Sequence, residues 1–141
     1  MANNRDNNLW NSFEFSSIFN KKLNKNWICN SIEIDSRKIK PGSIFFAMPG
    51  TKLDGHNFLL DAIKLGAESI IIKKKFKTKI DNYEFIEVDD VHESLNLLAK
   101  ASRKRINNSK NIIAITGSSG KTSTKEMIGK AFTNLGLSYM N

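Results

Sequence analysis

Apolar residues recur along this chain in two alternating rhythms, short runs of β-formers and longer stretches at helical spacing. Leu9, Trp10, Phe13, Ile18 and Phe19 predict a short opening helix over residues 9–19. Residues 32–34 and 44–48 read as strands, separated by the turn signal Lys40-Pro41-Gly42, with Pro49-Gly50 ending the second. Phe58, Leu59, Ala62 and Ile63 are spaced for a helix that Gly66 is placed to stop. Residues 69–72 and 85–88 are two further apolar runs with strand character. Asp90 and Glu93 then match an N-cap and its capping-box partner. The helix they open presents Val91, Leu95, Leu98, Ala99 and Ile106 near one face. Asn107-Asn108-Ser109-Lys110 is a polar break and the best candidate boundary, dividing the chain into domains 1–108 and 109–141. A strand over 111–116, a glycine loop, a helix over 121–135, Gly136 as its stop and the first residues of another strand follow. Strands alternating with helices predict an α/β fold with a partly parallel sheet.

Charge and composition narrow the function classes. The formal net charge of +8 invites nucleic-acid binding, but the basic residues are mostly Lys and are spread through a chain rich in Asn and Ile. The densest run, Lys73-Lys74-Lys75-Phe76-Lys77-Thr78-Lys79, follows an apolar strand and is most simply a solvated loop, so no specific nucleic-acid partner is expected. One cysteine, Cys29, excludes an internal disulfide framework, and no Cys/His cluster suggests a zinc site. No apolar run approaches the roughly 18 residues of a membrane helix, and the polar N-terminus does not resemble a signal peptide. A cytoplasmic, monomeric protein without membrane insertion is the expectation.

The chemistry lies near the end of the chain. Ile112-Ile113-Ala114-Ile115 has the character of a fully buried parallel strand and runs directly into Thr116-Gly117-Ser118-Ser119-Gly120-Lys121-Thr122. Met127, Ile128, Ala131, Phe132 and Leu135 give the following helix a packing stripe. Strand, glycine turn and helix together form the setting of a phosphate-binding loop. Gly117 and Gly120 allow a tight turn whose N–H groups aim inward, and the helix start adds unpaired N–H groups and the positive end of its dipole. Lys121 can reach terminal phosphates, and the Thr122 hydroxyl is placed to ligate Mg²⁺. Ile115 stands where the common eight-residue pattern has its first glycine, so the loop is a G-x-x-G-K-T variant. Only about twenty-five residues remain from the start of this loop. A nucleotide-processing domain needs further strands, a second Mg²⁺ ligand and a group to position the nucleophile. The expectation is therefore an N-terminal fragment, one complete domain plus the start of a second, with Ile112, Ile113, Met127 and Phe132 left without their packing partners.

Thr116 through Glu126, Thr-Gly-Ser-Ser-Gly-Lys-Thr-Ser-Thr-Lys-Glu, resembles the ATP loop of the Mur ligases. The Ser-Ser pair and the Lys-Glu after the loop are most similar to the type that adds D-alanyl-D-alanine to UDP-N-acetylmuramoyl-tripeptide. Asp35-Ser36-Arg37, Pro41-Gly42-Ser43-Ile44-Phe45-Phe46-Ala47 and residues 50–58, Gly-Thr-Lys-Leu-Asp-Gly-His-Asn-Phe, resemble the UDP-sugar-binding domain shared with the ligase preceding it in the pathway. The resemblance spans about residues 12–137. It implies an ATP- and Mg²⁺-dependent ligase that activates a substrate carboxylate as an acyl phosphate for attack by an amine.

Carried over by residue, the resemblance puts Gly117, Ser118, Ser119, Gly120, Lys121, Thr122 and Ser123 in the ATP loop, with Lys121 on the phosphates and Thr122 on Mg²⁺. Ser36 and Arg37 are the foremost candidates for UDP contact, followed by the 50–56 loop with Gly50, Thr51 and His56. For His56 taken alone, near a helix start after Asp54-Gly55, a structural hydrogen bond is the stronger reading. Asp35-Ser36-Arg37 alone would also suit a strand-end turn with a surface ion pair. The implied substrates are UDP-N-acetylmuramoyl-tripeptide and D-alanyl-D-alanine, and the 141 residues by themselves are not expected to ligate them. The alternatives are a stand-alone UDP-sugar-binding module and the preceding amino-acid-adding Mur ligase.

Overall fold

Asn11 starts the first helix instead of lying within it. Its side chain accepts from the Glu14 N–H at 2.9 Å while Glu14 Oε2 accepts from the Asn11 N–H at 3.0 Å, a complete capping box. The expected opening helix is thereby shortened to α1 (Ser12–Phe19), preceded by β1 (Trp10–Asn11), which pairs antiparallel with β2 (Ile28–Cys29). Residues 8–80, 83–106 and 112–133 are described in this computed structural model. The chain divides into two compact units, Met1–Arg105 and Ile106–Asn141.

In the first unit, β3 (Ser31–Glu33), β4 (Ser43–Phe46), β5 (Ala67–Lys73) and β6 (Phe85–Val88) form one parallel sheet in that order. Successive side chains of a strand point to opposite faces, and β4 and β5 are apolar on both. Ile44, Phe46 and Ile71 enter a core with Trp10, Phe15, Trp27, Cys29, Ile86, Val88, Val91 and Leu98. That core joins the sheet to α1, to the β1–β2 pair and to α3 (Val91–Lys104). Phe45, Ala47, Ile70 and Ile72 enter a second core with Ile39, Ala67, and Leu59 and Ala62 of α2 (Leu59–Lys64). Fully burying an Ile or Phe side chain stabilises by about 1.5–3 kcal/mol, so these two strands anchor both layers.

The helix predicted from Phe58 onward begins as a 3-10 turn, Gly55–Phe58, that runs into α2, and Gly66 follows at φ +90°. Asp90 caps α3 as expected by accepting from the Glu93 N–H at 2.9 Å.

The second unit contains α4 (Lys121–Thr133). The strand expected over 111–116 does not form across its described part: residues 112–116 have no regular structure, and Ile112 and Ile113 are each 52% exposed. A strand exists only as a partner in a ladder, and apolar sequence alone supplies none. Met127 and Phe132 of α4 are exposed as well. The polar break at 107–110, the helix stop at Gly136 and the residues after it lie outside the described residues.

Candidate functional site

In open parallel sheets, ligands bind beyond the carboxyl ends of the strands. In the first unit that end carries two of the segments singled out by sequence and one that was not. Asp35-Ser36-Arg37 follows β3, the 47–56 loop follows β4, and Lys74-Lys75 follows β5.

Ser36 and Arg37 form a 3-10 turn capped by Asp35, whose Oδ1 accepts from the Arg37 N–H at 3.1 Å. The Arg37 guanidinium grips the same carboxylate twice, Nε on Oδ1 at 2.9 Å and Nη2 on Oδ2 at 2.7 Å, while its side chain is 87% exposed. The Arg37 hydrogen bonds hold the Asp35 carboxyl down at about 2. The pair presents a rigid, planar guanidinium to solvent, and its local charge is largely cancelled. Ser36 is half-buried beside it.

Gly50 and Thr51 are exposed in the loop after β4. A Cβ on Gly50 would fall 2.2 Å from the Leu53 carbonyl oxygen, so the loop closes only around a glycine. His56 ends this loop and is buried, its side chain 3% exposed. Nε2 accepts from the Lys73 N–H at 3.1 Å, so the proton sits on Nδ1, which donates to Asp54 Oδ1 at 2.6 Å. Burial works to raise the Asp54 carboxyl, but hydrogen bonds from the His56 N–H and ring outweigh it and hold it below its ordinary value. His56 therefore has neither ring nitrogen to offer a ligand. Its hydrogen bonds tie the 50–56 loop to the end of β5, and the ring of Phe76 lies over it at 4.3 Å between centroids.

Sequence reasoning passed over Lys74 and Lys75 as part of a solvated run. Their position at a strand's carboxyl end is the signal that distinguishes them from Lys77 and Lys79. A wider concavity of about 600 Å³ opens elsewhere, between the 21–25 loop and Tyr83–Glu87, beside the start and free edge of β6. It contains none of the residues singled out by sequence.

In the second unit, Gly120 at φ +75° turns the chain into α4, a conformation in which a side chain costs about 1–2 kcal/mol. A Cβ there would meet nothing within 4 Å, so the backbone angle, not crowding, calls for glycine. The Thr124 N–H reaches the Gly120 carbonyl at 2.9 Å and starts the helical ladder. The N–H groups of residues 121–123 are not needed by that ladder. Lys121 Nζ arches back to the Gly117 carbonyl oxygen at 2.5 Å, closing the loop on itself. Ile113, Ile115, Lys121, Thr122 and Lys125 line an open depression of about 320 Å³. Ser118, Ser119, Thr122 and Ser123 are exposed. A cationic side chain, unclaimed amides and hydroxyls at a helix start suit a nucleotide's phosphates with a bound Mg²⁺. Among the described residues, no group of three or more His, Cys, Asp or Glu could hold a metal by itself.

A protein-family profile, the Mur ligase family catalytic domain, matches residues 29–108, more than half of the chain. This chain belongs to the Mur ligase family. It is 37% identical over 123 residues to a UDP-N-acetylmuramoyl-L-alanyl-D-glutamate--2,6-diaminopimelate ligase of Fusobacterium nucleatum, covering 87% of this chain and 25% of that one. A UDP-N-acetylmuramoyl-tripeptide--D-alanyl-D-alanine ligase of Rickettsia prowazekii is also 37% identical, over 120 residues, covering 85% and 26%. The two kinds of Mur ligase thus match equally well. Among solved structures, MurF from Acinetobacter baumannii superposes with a TM-score of 0.73 at 28% identity, over 91% of this chain and 28% of that one. MurF of Thermotoga maritima in complex with ADP gives 0.61 at 28% identity, over 74% and 23%. The chain spans about a quarter of the length of the curated relatives it matches. No helix among the described residues is long and apolar enough to cross a membrane.

Proposed function

We propose that this Mur ligase family chain contributes the UDP-binding surface and the ATP loop of a cytoplasmic, ATP-dependent carboxylate–amine ligase of peptidoglycan precursor synthesis. Its substrates are UDP-N-acetylmuramoyl-tripeptide and D-alanyl-D-alanine, and it acts as a monomer. The observation that carries the proposal is the glycine turn at Gly120, which delivers Lys121 and Thr122 onto the first turn of a 13-residue helix. Lys121 leaves the Gly117 carbonyl to meet the terminal phosphates, and the amides of the loop and of residues 121–123 cradle them. The Thr122 hydroxyl holds Mg²⁺, and Ser118, Ser119 and Ser123 add hydroxyls around the phosphates. ATP supplies the phosphoryl group that activates the substrate carboxylate. In the first unit, Ser36, Arg37, Gly50 and Thr51 receive the UDP moiety, and His56 supports them from beneath. The assignment of domains to residues 1–108 and 109–141 belongs to this proposal.

The Ser-Ser pair between the two loop glycines favours the D-alanyl-D-alanine-adding reaction. The equal match to the Fusobacterium relative favours a second reading, the addition of an amino acid to the UDP-N-acetylmuramoyl dipeptide. Calorimetric titration of the 141-residue chain with the UDP-linked dipeptide and tripeptide separates them. Tripeptide binding at least about tenfold tighter, a difference of about 1.4 kcal/mol, supports the first. The reverse order supports the second, and binding of neither sinks both.

A further inference from the structure

Parallel strands lie about 4.8 Å apart, so β3 and β5 run about 10 Å from one another across β4, with β5 continuing three residues beyond the level of Glu33. A nucleotide-linked ligand lying over Arg37 and the 50–51 loop would meet the turn after β5 next. Its diphosphate needs positive charge, and Arg37 is already neutralised by its two hydrogen bonds to Asp35. Lys74 faces Asp89 at a loose 3.5 Å, and Lys75 has no carboxylate partner among the described residues.

Lys75 is also the backbone outlier of this edge. Two non-glycine residues among those described have positive φ, Asn20 at 48° and Lys75 at 69°. Asn20 caps the end of α1, an ordinary place for that conformation. Lys75 is the third residue of the turn closed by the Phe76 N–H on the Lys73 carbonyl, a position that requires positive φ and usually takes glycine or asparagine, so the choice of a lysine there is a pointer to a ligand clamp. The turn is well fixed. The Lys73 N–H is bound by His56 Nε2, the Lys74 N–H by the Val88 carbonyl at 2.6 Å, and the Phe76 N–H by the Lys73 carbonyl at 3.0 Å. Through His56, the turn and the 50–56 loop are held in one arrangement.

We propose that the 73–76 turn is the phosphate wall of the substrate site, with Lys75 binding the diphosphate of the nucleotide-linked substrate and His56 positioning the turn. The proposal rests on the UDP-binding reading above and adds a residue to it. The test is calorimetry of the whole chain with UDP and with uridine, on wild type, Lys75→Gly and Lys75→Asn. Both replacements accept positive φ, so both should fold with a melting temperature at or above wild type. Each should bind UDP about tenfold more weakly, the loss of one charge-assisted hydrogen bond, with uridine binding unchanged. Wild-type affinity for UDP in both folded variants would overturn this inference and leave the UDP reading standing. An equal loss for uridine would also overturn it, since the effect would then not be on phosphate. Failure of the wild-type chain to bind UDP would overturn the UDP reading, and this inference with it.

Discussion

The guanidinium of Arg105 lies 3.4 Å from the centroid of the Trp10 ring. Its Nη1 donates to the Leu9 carbonyl at 2.7 Å and its Nη2 to Glu14, the residue that completes the capping box of α1. One side chain at the last position of the first unit thus joins the end of α3 to the start of β1 and α1. Cation–π contact at a part-exposed site and a charged hydrogen bond to a carbonyl together suggest about 1–2 kcal/mol. Arg105→Ala should lower the stability of the first unit by that amount in urea unfolding. Arg105→Lys should recover only part of it, because an ammonium cannot stack and donate in two directions at once. An unchanged midpoint in Arg105→Ala would show that the clamp contributes nothing.

His56→Phe keeps the ring but removes both hydrogen bonds. It leaves the Lys73 N–H without an acceptor and Asp54 with only the backbone N–H of residue 56, at a cost of about 1–3 kcal/mol. The Lys73 amide should exchange with solvent many times faster than in wild type, while amides in the middle of β4 keep their protection. Equal acceleration throughout the sheet would mean the effect is global, not a release of the loop.

Cys29 is fully buried, and burial, the largest influence on it, pushes the thiol up to about 11 from an ordinary 9.0. Its native state should react with Ellman's reagent at neutral pH only through unfolding, so the labelling rate reports opening of the core. The folded state holds this proton more tightly than the unfolded one. Its contribution is therefore complete below about pH 9 and is lost as pH rises through about 11. Cys29→Ala should flatten that alkaline decline. Burial raises the Tyr83 hydroxyl too, so part of the decline should remain. A decline of the same slope in Cys29→Ala would refute the assignment.

Asp35 behaves in the opposite sense. Its folded value of about 2 lies below the ordinary 3.8, so the stabilisation from the Arg37 pair is present above about pH 4 and is lost as pH falls through about 2. A carbon-detected NMR titration should place the Asp35 midpoint near 2, and Arg37→Ala should return it towards 3.8. A wild-type midpoint already near the ordinary value would mean that the two side chains do not stay paired in solution.

Much of the fold was legible before any tertiary contact was known. The run Phe85–Val88 forms a strand over those four residues, and the Asp90 cap sets the start of α3. Lys121 begins α4, and the glycine turn before it has the positive φ that its sequence implied. These features depend on hydrogen bonds and steric limits that reach only a few residues along the chain. β1 and β2 were not legible, because two-residue strands carry no alternation to detect and exist only through the Trp10–Cys29 pairing. The run 112–115 misled for the complementary reason: it has the composition of a buried strand but forms no ladder.

The candidate site divides along the same line. The residues of the glycine loop are neighbours in sequence, so their spacing determined the turn, the helix start and the placing of Lys121 and Thr122. Arg37, Gly50 and Lys75 lie far apart in the chain, and only the strand order β3-β4-β5 brings their loops to one edge. That order is set by long-range pairing and by the burial of Ile44, Phe45, Phe46, Ile70 and Ile71 in two cores. The tertiary structure likewise decided the role of His56, since the Lys73 amide that claims its second nitrogen is 17 residues away.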